Sequence, residues 1–467
     1  MKVLSLALRN LVRNRRRSLM TLFAMLLGMV AILLFGGYIR DITYGLQSDY
    51  VQRTGHLQIQ HKGYFLYGSG NPAAYGIRDY EKIIALVKND PVLAPMVVVA
   101  TPTLHFGGIA GNFAAGVSRT IYASGVVVEE QNRMLDWNDY DMQILRRAVT
   151  LSGTASDAAV IGTGVARVLQ LCSALKVENC AASVEPVNSQ GGAAALPDDI
   201  AALSASTQPG ADSARTASQT RIEILATNSH GAPNVAAVNV VRAEFQGIKE
   251  LDDVYVALHL AQAQKLIFGK EPPRATAVVL QLHHTSQMAA AHARLDELLA
   301  TTLKNNPLEI MDYETLNPFY GQTLSMFKAI FGFISVLISA VVLFTISNTM
   351  SMVVVERTVE IGTLRAIGMK RQGIRRLFLT EALTLGVIGS ALGLIVAIGA
   401  AWAINAMGIT WIPPGRMEPA PLAVRVAGEY LIMASSVIGL LVVASISAIL
   451  PAARASRMNI VDALRHV

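Results

Sequence analysis

The sequence predicts an α-helical membrane protein with four transmembrane helices and a large extracytoplasmic α+β domain between the first and second helices. Three observations predict it. First, 52% of the 467 residues are apolar and mean hydropathy is +0.42, above the roughly 45–50% apolar content of ordinary soluble domains. Second, residues 18–39, 329–355, 382–415 and 430–453 contain no Asp, Glu, Lys or Arg. Each of these stretches reaches the roughly 20 residues needed to cross a hydrocarbon core about 30 Å thick. Third, strand-like and helix-like periodicities alternate between residues 40 and 328, the pattern of a mixed domain.

Taken in order, residues 1–17 place Leu4, Leu8, Leu11 and Val12 on one helical face, with Arg9, Arg13 and Arg16 off it. That spacing suits either a helix lying in the cytoplasmic interface or a solvated basic flank. The apolar run 18–39 is too long for a signal peptide and shows no small-x-small cleavage site, so it reads as an uncleaved anchor. The other spans are expected at 329–355, 382–405 and 430–453, joined by segments 356–381 and 406–429 and followed by a tail, 454–467. Basic residues cluster before the first span, after the second and after the fourth. By the excess of Lys and Arg on the cytoplasmic side, both termini face the cytoplasm and residues 40–328 lie across the membrane. These three basic clusters together exceed the chain's net charge of +6, so the remainder is net negative. The basicity therefore serves orientation and binding to the membrane surface, with no nucleic-acid patch.

Within the large domain, "GHLQIQHKGY" alternates Leu57 and Ile59 with polar residues, as a half-buried strand does. Residues 78–90 read as helix and "PMVVVATPTLHFGGIAG" as strand and turn. "AVIGTGVARVLQL" reads as strand, tight glycine turn and helix. "RIEILAT", "AAVNVVRAEFQGI", "DDVYVAL" and "ATAVVLQL" read as strands, with helices through "AQAQKLIFG" and over 286–303. The expectation is an α+β domain with two subdomains. Residues 181–220, dominated by Ala, Ser, Gly, Pro and Gln, read as a flexible insertion that buries too little surface to fold. The two cysteines, Cys172 and Cys180, form a small disulfide loop in an oxidising compartment or remain free thiols. The adjacent His283 and His284 diverge in a strand, and no metal site is expected.

The sequence holds no phosphate-cradling G-x-x-x-x-G-K-[ST], no H-E-x-x-H and no G-x-S-x-G. The four expected spans carry no charge, which disfavours a proton-coupled transporter or an ion channel. Energy for transport must come from another subunit.

Four features together resemble a known group. They are the start "ALRNLVRNRRRS", a large domain after one span, "ERTVEIGTLRAIGMKRQGI" after the second span, and the end "PAARASRMNIVDALRHV". They resemble the FtsX-like or MacB-type permeases of ATP-binding-cassette transporters, and "RTGHLQIQHKGY" looks most like the lipoprotein-releasing (Lol) branch. The resemblance implies a non-enzymatic subunit of the bacterial inner membrane with its large domain in the periplasm. It implies no cofactor on this chain, with ATP and Mg on separate ABC ATPase subunits. It also implies a second permease copy or a paralogue in a dimer, and a periplasmic carrier or adaptor.

The same resemblance assigns the ATPase contact to Glu356, Arg357, Glu360, Ile361, Gly362, Leu364, Arg365 and Gly368. Glu356 and Glu360 share a helical face, where two like charges call for a basic partner surface. Ile361, Leu364 and Ile367 share another face, and Gly368 and Gly373 can each end a helix. Arg375 and Arg376 read as topology determinants. In the third span the small residues Gly386, Ser390, Gly393 and Ala397 lie at helical spacing, which lets backbones approach closely. They face the second or fourth span within one subunit, or form a permease dimer seam. Ile42, Leu46, Phe319, Leu324 and Phe327, flanking the first two spans, either pack internally or face cargo.

Overall fold

The computed structural model describes residues 9, 13, 15–142, 150–177, 220–412 and 419–459. In chain order it contains α1 (Arg15–Thr54), β1 (Leu57–His61), α2 (Tyr80–Asn89), β2 (Val97–Asn112), β3 (Val117–Val126) and α3 (Val128–Leu135). There follow β4 (Ala158–Gly162), α4 (Thr163–Val168), β5 (Arg221–Thr227), β6 (Pro233–Glu244), β7 (Tyr255–His259), α5 (Leu260–Phe268), β8 (Ala277–Leu282), α6 (Met288–Ala300) and β9 (Leu308–Asp312). The chain closes with α7 (Pro318–Glu356), α8 (Thr358–Ala366), α9 (Arg371–Ala406) and α10 (Tyr430–Arg457). Four of these helices, α1, α7, α9 and α10, are long and apolar enough to cross a membrane. The chain divides into two compact units. One comprises Met1–Gly45, Phe319–Trp411 and Ala420–Val467, and the other Leu46–Pro318 with Ile412–Pro419.

The first unit is the helical one. α1 has 40 residues, about 60 Å of helix and twice the thickness of a hydrocarbon core. The expected span at 18–39 is thus the middle of a longer rod. Arg40, Asp41, Asp49 and Arg53 follow that span, yet none breaks the helix, which stops only before Gly55 (φ +71°). A left-handed residue of this kind ends helices at little cost only when it is Gly. Most of residues 1–14, including Leu4, Leu8, Leu11 and Val12, lie outside the described residues.

The small-residue stripe of α9 is buried inside this unit. A Cβ at Gly386 would meet Leu441 and Ala444 of α10 at 3.0 and 3.3 Å, and one at Gly393 would meet Met29 of α1 at 2.6 Å. Ser390 and Ala397 are buried beside them. Of the alternatives read from the sequence, the fourth helix of the same chain is met at Gly386, and the first helix, which was not among them, is met at Gly393. Small side chains let the helix backbones approach closely at both places. α7 packs on α1, where Phe331 stacks on Phe35 with ring centroids 6.1 Å apart. Its opposite flank leaves Phe333, Val336 and Phe344 exposed.

The second unit holds two cores that share one strand. β2, β8, β1 and β9 form an antiparallel sheet in that order. The halves β1–α2–β2 and β8–α6–β9 make a split βαβ arrangement of the ferredoxin-like kind. Helices α2 and α6 cover one face, burying Leu57, Ile59, Ile83, Leu280 and Leu295. The chain between β2 and β8 builds the second core. There β2 pairs with β3, β3 with β7, β7 with β4, β4 with β6, β6 with β5, and β5 with β2 again. These pairings close a six-stranded ring around Leu104, Phe106, Ile121, Ile161 and Leu258. Closure removes free edges. Glycines 107, 108 and 111, expected in a turn, lie inside the 16-residue β2, whose first half serves the open sheet and whose second half serves the ring.

The glycine turn "GTGVARVLQL" opens α4, and the carboxylate of Asp252 fills it. Asp252 accepts hydrogen bonds from Thr163 N (2.9 Å), Thr163 Oγ1 (2.5 Å), Gly164 N (2.8 Å) and Gln246 N (3.2 Å). The free N–H groups of the helix start are thus satisfied by the chain itself. Cys172 is disulfide-bonded; Cys180 lies outside the described residues, as does the expected insertion at 181–220 apart from Thr220.

Candidate functional site

In the helical unit the site is the joint between α7 and α9. α7 ends at Glu356, Arg357 interrupts the helix (φ −99°, ψ 15°), and α8 runs to Ala366. Gly368 then adopts φ +102°, a conformation that favours glycine. This turn sends the chain into α9 at Arg371.

Each residue assigned to the joint has a definite surrounding. Arg357, expected at an outer contact, is 7% exposed, and its Nη1 lies 2.9 Å from Oε1 of Glu381, 3% exposed. Removing one partner of such a buried pair leaves an uncompensated charge, which makes the pair a strong constraint on the angle between α7 and α9. Ile361 and Gly362 are buried, and Leu364 packs on the same core. Ile367, expected on the face of Ile361 and Leu364, is instead 80% exposed, because the helix ends one residue before it. Arg365 donates to the backbone carbonyl of Met458, after α10. Arg375, read as a topology charge, donates to Ser456 Oγ at 3.1 Å.

The basic surface that Glu356 and Glu360 call for is supplied within the chain. Arg17 pairs with Glu356 and Arg13 with Glu360. Residues four apart on one segment meet residues four apart on the other in antiparallel order. The sequence reading places that basic surface on a partner protein; the matched spacing of R-x-x-x-R and E-x-x-x-E is the signal that could have found it within the chain. The pairs are partly exposed, so each contributes about 0–1 kcal/mol. The joint thus gathers the N-terminal flank, the end of α7, the start of α9 and the end of α10.

At the other ends of these helices Arg40 pairs with Glu429 (3.1 Å) and Arg425 with Asp41 (3.0 Å). Both guanidinium groups lie over the Tyr44 ring, at 4.6 and 5.8 Å. The segment before α10 is held to α1 by this clasp. Of the residues considered for cargo, Phe319 is exposed, whereas Ile42, Leu46, Leu324 and Phe327 are half-buried. None of them lines the cavity of about 220 Å³ whose walls include Gly28, Phe331, Ser335, Ile432 and Gly439.

In the second unit the last turns of α1 are rooted on the sheet by neutral groups. Gln47 donates to Tyr313 Oη (2.8 Å) and Gln52 to the Trp137 carbonyl (2.8 Å). Gln58 donates to the Thr54 carbonyl (2.8 Å), and Gln281 to those of Val51 (3.3 Å) and Met134 (2.9 Å). β1 is therefore buried on both faces, which corrects the half-buried expectation. Its Gln58, with Gln281 of β8, serves carbonyls at the end of α1, which lack helical partners. His56 belongs to this root. Its Nδ1 accepts from Leu282 N at 3.0 Å, and burial lowers its pKa from 6.5 to about 4 against the attraction of Asp139. Sequence reading placed no function on these glutamines, since nothing in the alternation shows what covers the polar face.

Among the described residues no group of three or more His, Cys, Asp or Glu is placed to hold a metal. Residues 332–460 match the family "FtsX-like permease C-terminal". The chain is similar to the ABC transporter permease YtrF of Bacillus subtilis, 34% identical over 29% of this chain and 31% of that protein. It is similar to the macrolide export ATP-binding/permease protein MacB of Brucella abortus, 29% identical over 36% of this chain and 26% of MacB. It is also similar to the uncharacterized ABC transporter permease YvrN of Bacillus subtilis, 29% identical over 43% of this chain and 46% of YvrN. The matches span less than half the length of each of these relatives.

Proposed function

We propose that this chain, a permease of the FtsX/MacB type by the domain at residues 332–460, converts ATP-driven motion of separate ABC ATPase subunits into movement of its large domain. The observation that carries this reading is the joint. It ends in an apolar tip, with Ile367 and Met369 exposed beside the Gly368 turn, Val359 exposed at the start of α8, and ion pairs tying it to the N-terminal flank and to α9. An apolar tip on a charged frame suits insertion into a groove of a partner protein. Both termini and the joint face the cytoplasm in this reading, and Leu46–Pro318 lies in the periplasm. Two permease copies, identical or paired with a paralogue, form the membrane part.

The cargo in this reading is a lipoprotein or other lipid-linked molecule taken from the inner membrane and passed to a carrier. Its support is the likeness of "RTGHLQIQHKGY" to the lipoprotein-releasing branch. Efflux of a drug, peptide or toxin with an adaptor and an outer-membrane channel is the second reading, favoured by the similarity to MacB.

The test is co-purification of the protein with an ABC ATPase from its own cells. Ile367→Asp is expected to abolish the association while the protein still inserts in the membrane. Undiminished association of this variant would refute the joint as the docking site. Depletion of the protein without retention of lipoproteins in the inner membrane would exclude the lipoprotein reading alone.

A further inference from the structure

Strand register sorts the residues of the four-stranded sheet onto two faces. Leu57, Ile59, Ala100, Val278, Leu280 and Ile310 point to helices α2 and α6. The opposite face carries Gln58 and Gln60 on β1, Thr101 and Thr103 on β2, and Gln281 on β8. All five are buried, none more than 5% exposed.

Their hydrogen bonds can be counted. Gln60 Nε2 donates to Gln58 Oε1 at 2.8 Å, and the amides of Gln58 and Gln281 are spent on α1 and Met134 carbonyls. Gln60 Oε1, Thr101 Oγ1, Thr103 Oγ1 and Gln281 Oε1 have no protein partner. Each orphan of this kind is destabilising by about 1–3 kcal/mol, so four on one face approach the whole stability of a domain. Reversing the Gln60 amide exchanges one orphan for another.

Three of the four surround one small residue. Thr103 and Gln60 are the register partners of Ala277 on its two sides, and Thr101 lies one row along, opposite Val279. A methyl group between two longer polar side chains leaves room above it.

We propose that this room over Ala277 is a binding site for water, held by Gln60, Thr101 and Thr103. The chemistry selects water over an ion. The five polar side chains are neutral, and the nearest acid in the register, Glu309, already accepts Gly63 N at 2.9 Å through Oε1. An anion here would be buried without a counter-charge, and a cation would find only Glu309, which stands on the edge strand outside the five side chains. Water donates twice and accepts twice, matching an amide oxygen that only accepts and two hydroxyls that do both.

The site lies on the face where α1 is rooted, so the root becomes a hydrated plane on which amide–carbonyl bonds can exchange as α1 shifts. That consequence rests on the motion proposed above; the water site itself does not.

The test is Thr101→Val with Thr103→Val in the full-length protein, a pair that keeps shape and removes both hydroxyls. If water is held there, the unfolding temperature falls, by about 2–4 °C for the loss of roughly 1 kcal/mol. If the oxygens are dry, the substitution relieves two orphans and the temperature holds or rises, which overturns the proposal. A high-resolution structure of the unsubstituted protein decides between a water effect and repacking. Density within hydrogen-bond reach of Gln60 Oε1 and Thr103 Oγ1 supports the site, and its absence overturns it. If the water is present but the double variant transports with unaltered coupling to ATP hydrolysis, the site stands and its part in the motion falls.

Discussion

The joint around residues 356–381 and the root of α1 hold their segments by opposite means. The joint uses full charges: Arg357–Glu381 buried, Arg17–Glu356 and Arg13–Glu360 partly exposed. The root uses neutral amides of Gln47, Gln52, Gln58 and Gln281 on carbonyls and a phenol, all buried. A buried ion pair tolerates little change of geometry, because separating it strands both charges. A neutral amide that loses one carbonyl can take another, or water, at a difference of about 1 kcal/mol. The difference teaches where rigidity and give are placed: the joint fixes an angle, and the root permits adjustment.

The comparison breaks most visibly at the buried pair. Glu381→Ala is expected to destabilise the protein by about 3–5 kcal/mol, and Arg357→Leu with Glu381→Leu to recover most of that loss, as thermal unfolding in detergent would show. Equal stability of the single and double variants would remove the pair as a constraint. At the root, Gln281→Leu is expected to lose about 1–3 kcal/mol, with faster amide exchange in β8.

Acid should weaken the large domain. His56 at the root and His105 on β2 are both lowered by burial from 6.5 to about 4, so between those values the unfolded chain binds protons that the folded chain does not. Stability therefore falls as pH drops from about 6.5 to about 4 and levels off below, and His56→Gln shallows that slope in acid titrations. The smallest effect belongs to the outer pairs. Arg13→Gln or Arg17→Gln is expected to change stability by less than about 1 kcal/mol, and the change to vanish in high salt.

Much of this frame was legible in the sequence. Four uncharged runs announced the four long helices, and the alternation at Leu57 and Ile59 announced β1. The burial of Gln58 and Gln60 was not, since alternation tells that two faces differ but not that a helix end covers the polar one. Nor was the sharing of β2 between two cores, which depends on pairings with strands more than a hundred residues away. At the joint, composition exposed the charges and glycines, while the partners Arg13 and Arg17 come from the N-terminal flank and Glu381 from the following helix. Ile367 escaped because periodicity continues past the point where Gly368 ends the helix.

The central claim is that Glu356 and Glu360 act by locking the N-terminal flank onto the joint through which ATP-driven motion enters. The direct measurement is transport per ATP hydrolysed in the reconstituted complex, for Glu356→Lys with Glu360→Lys, alone and combined with Arg13→Glu and Arg17→Glu. The expected result is that the glutamate reversals uncouple hydrolysis from transport and that the fourfold swap, which restores both pairs, restores coupling. Normal coupling in the first variant, or a folded fourfold variant that stays uncoupled, would contradict it.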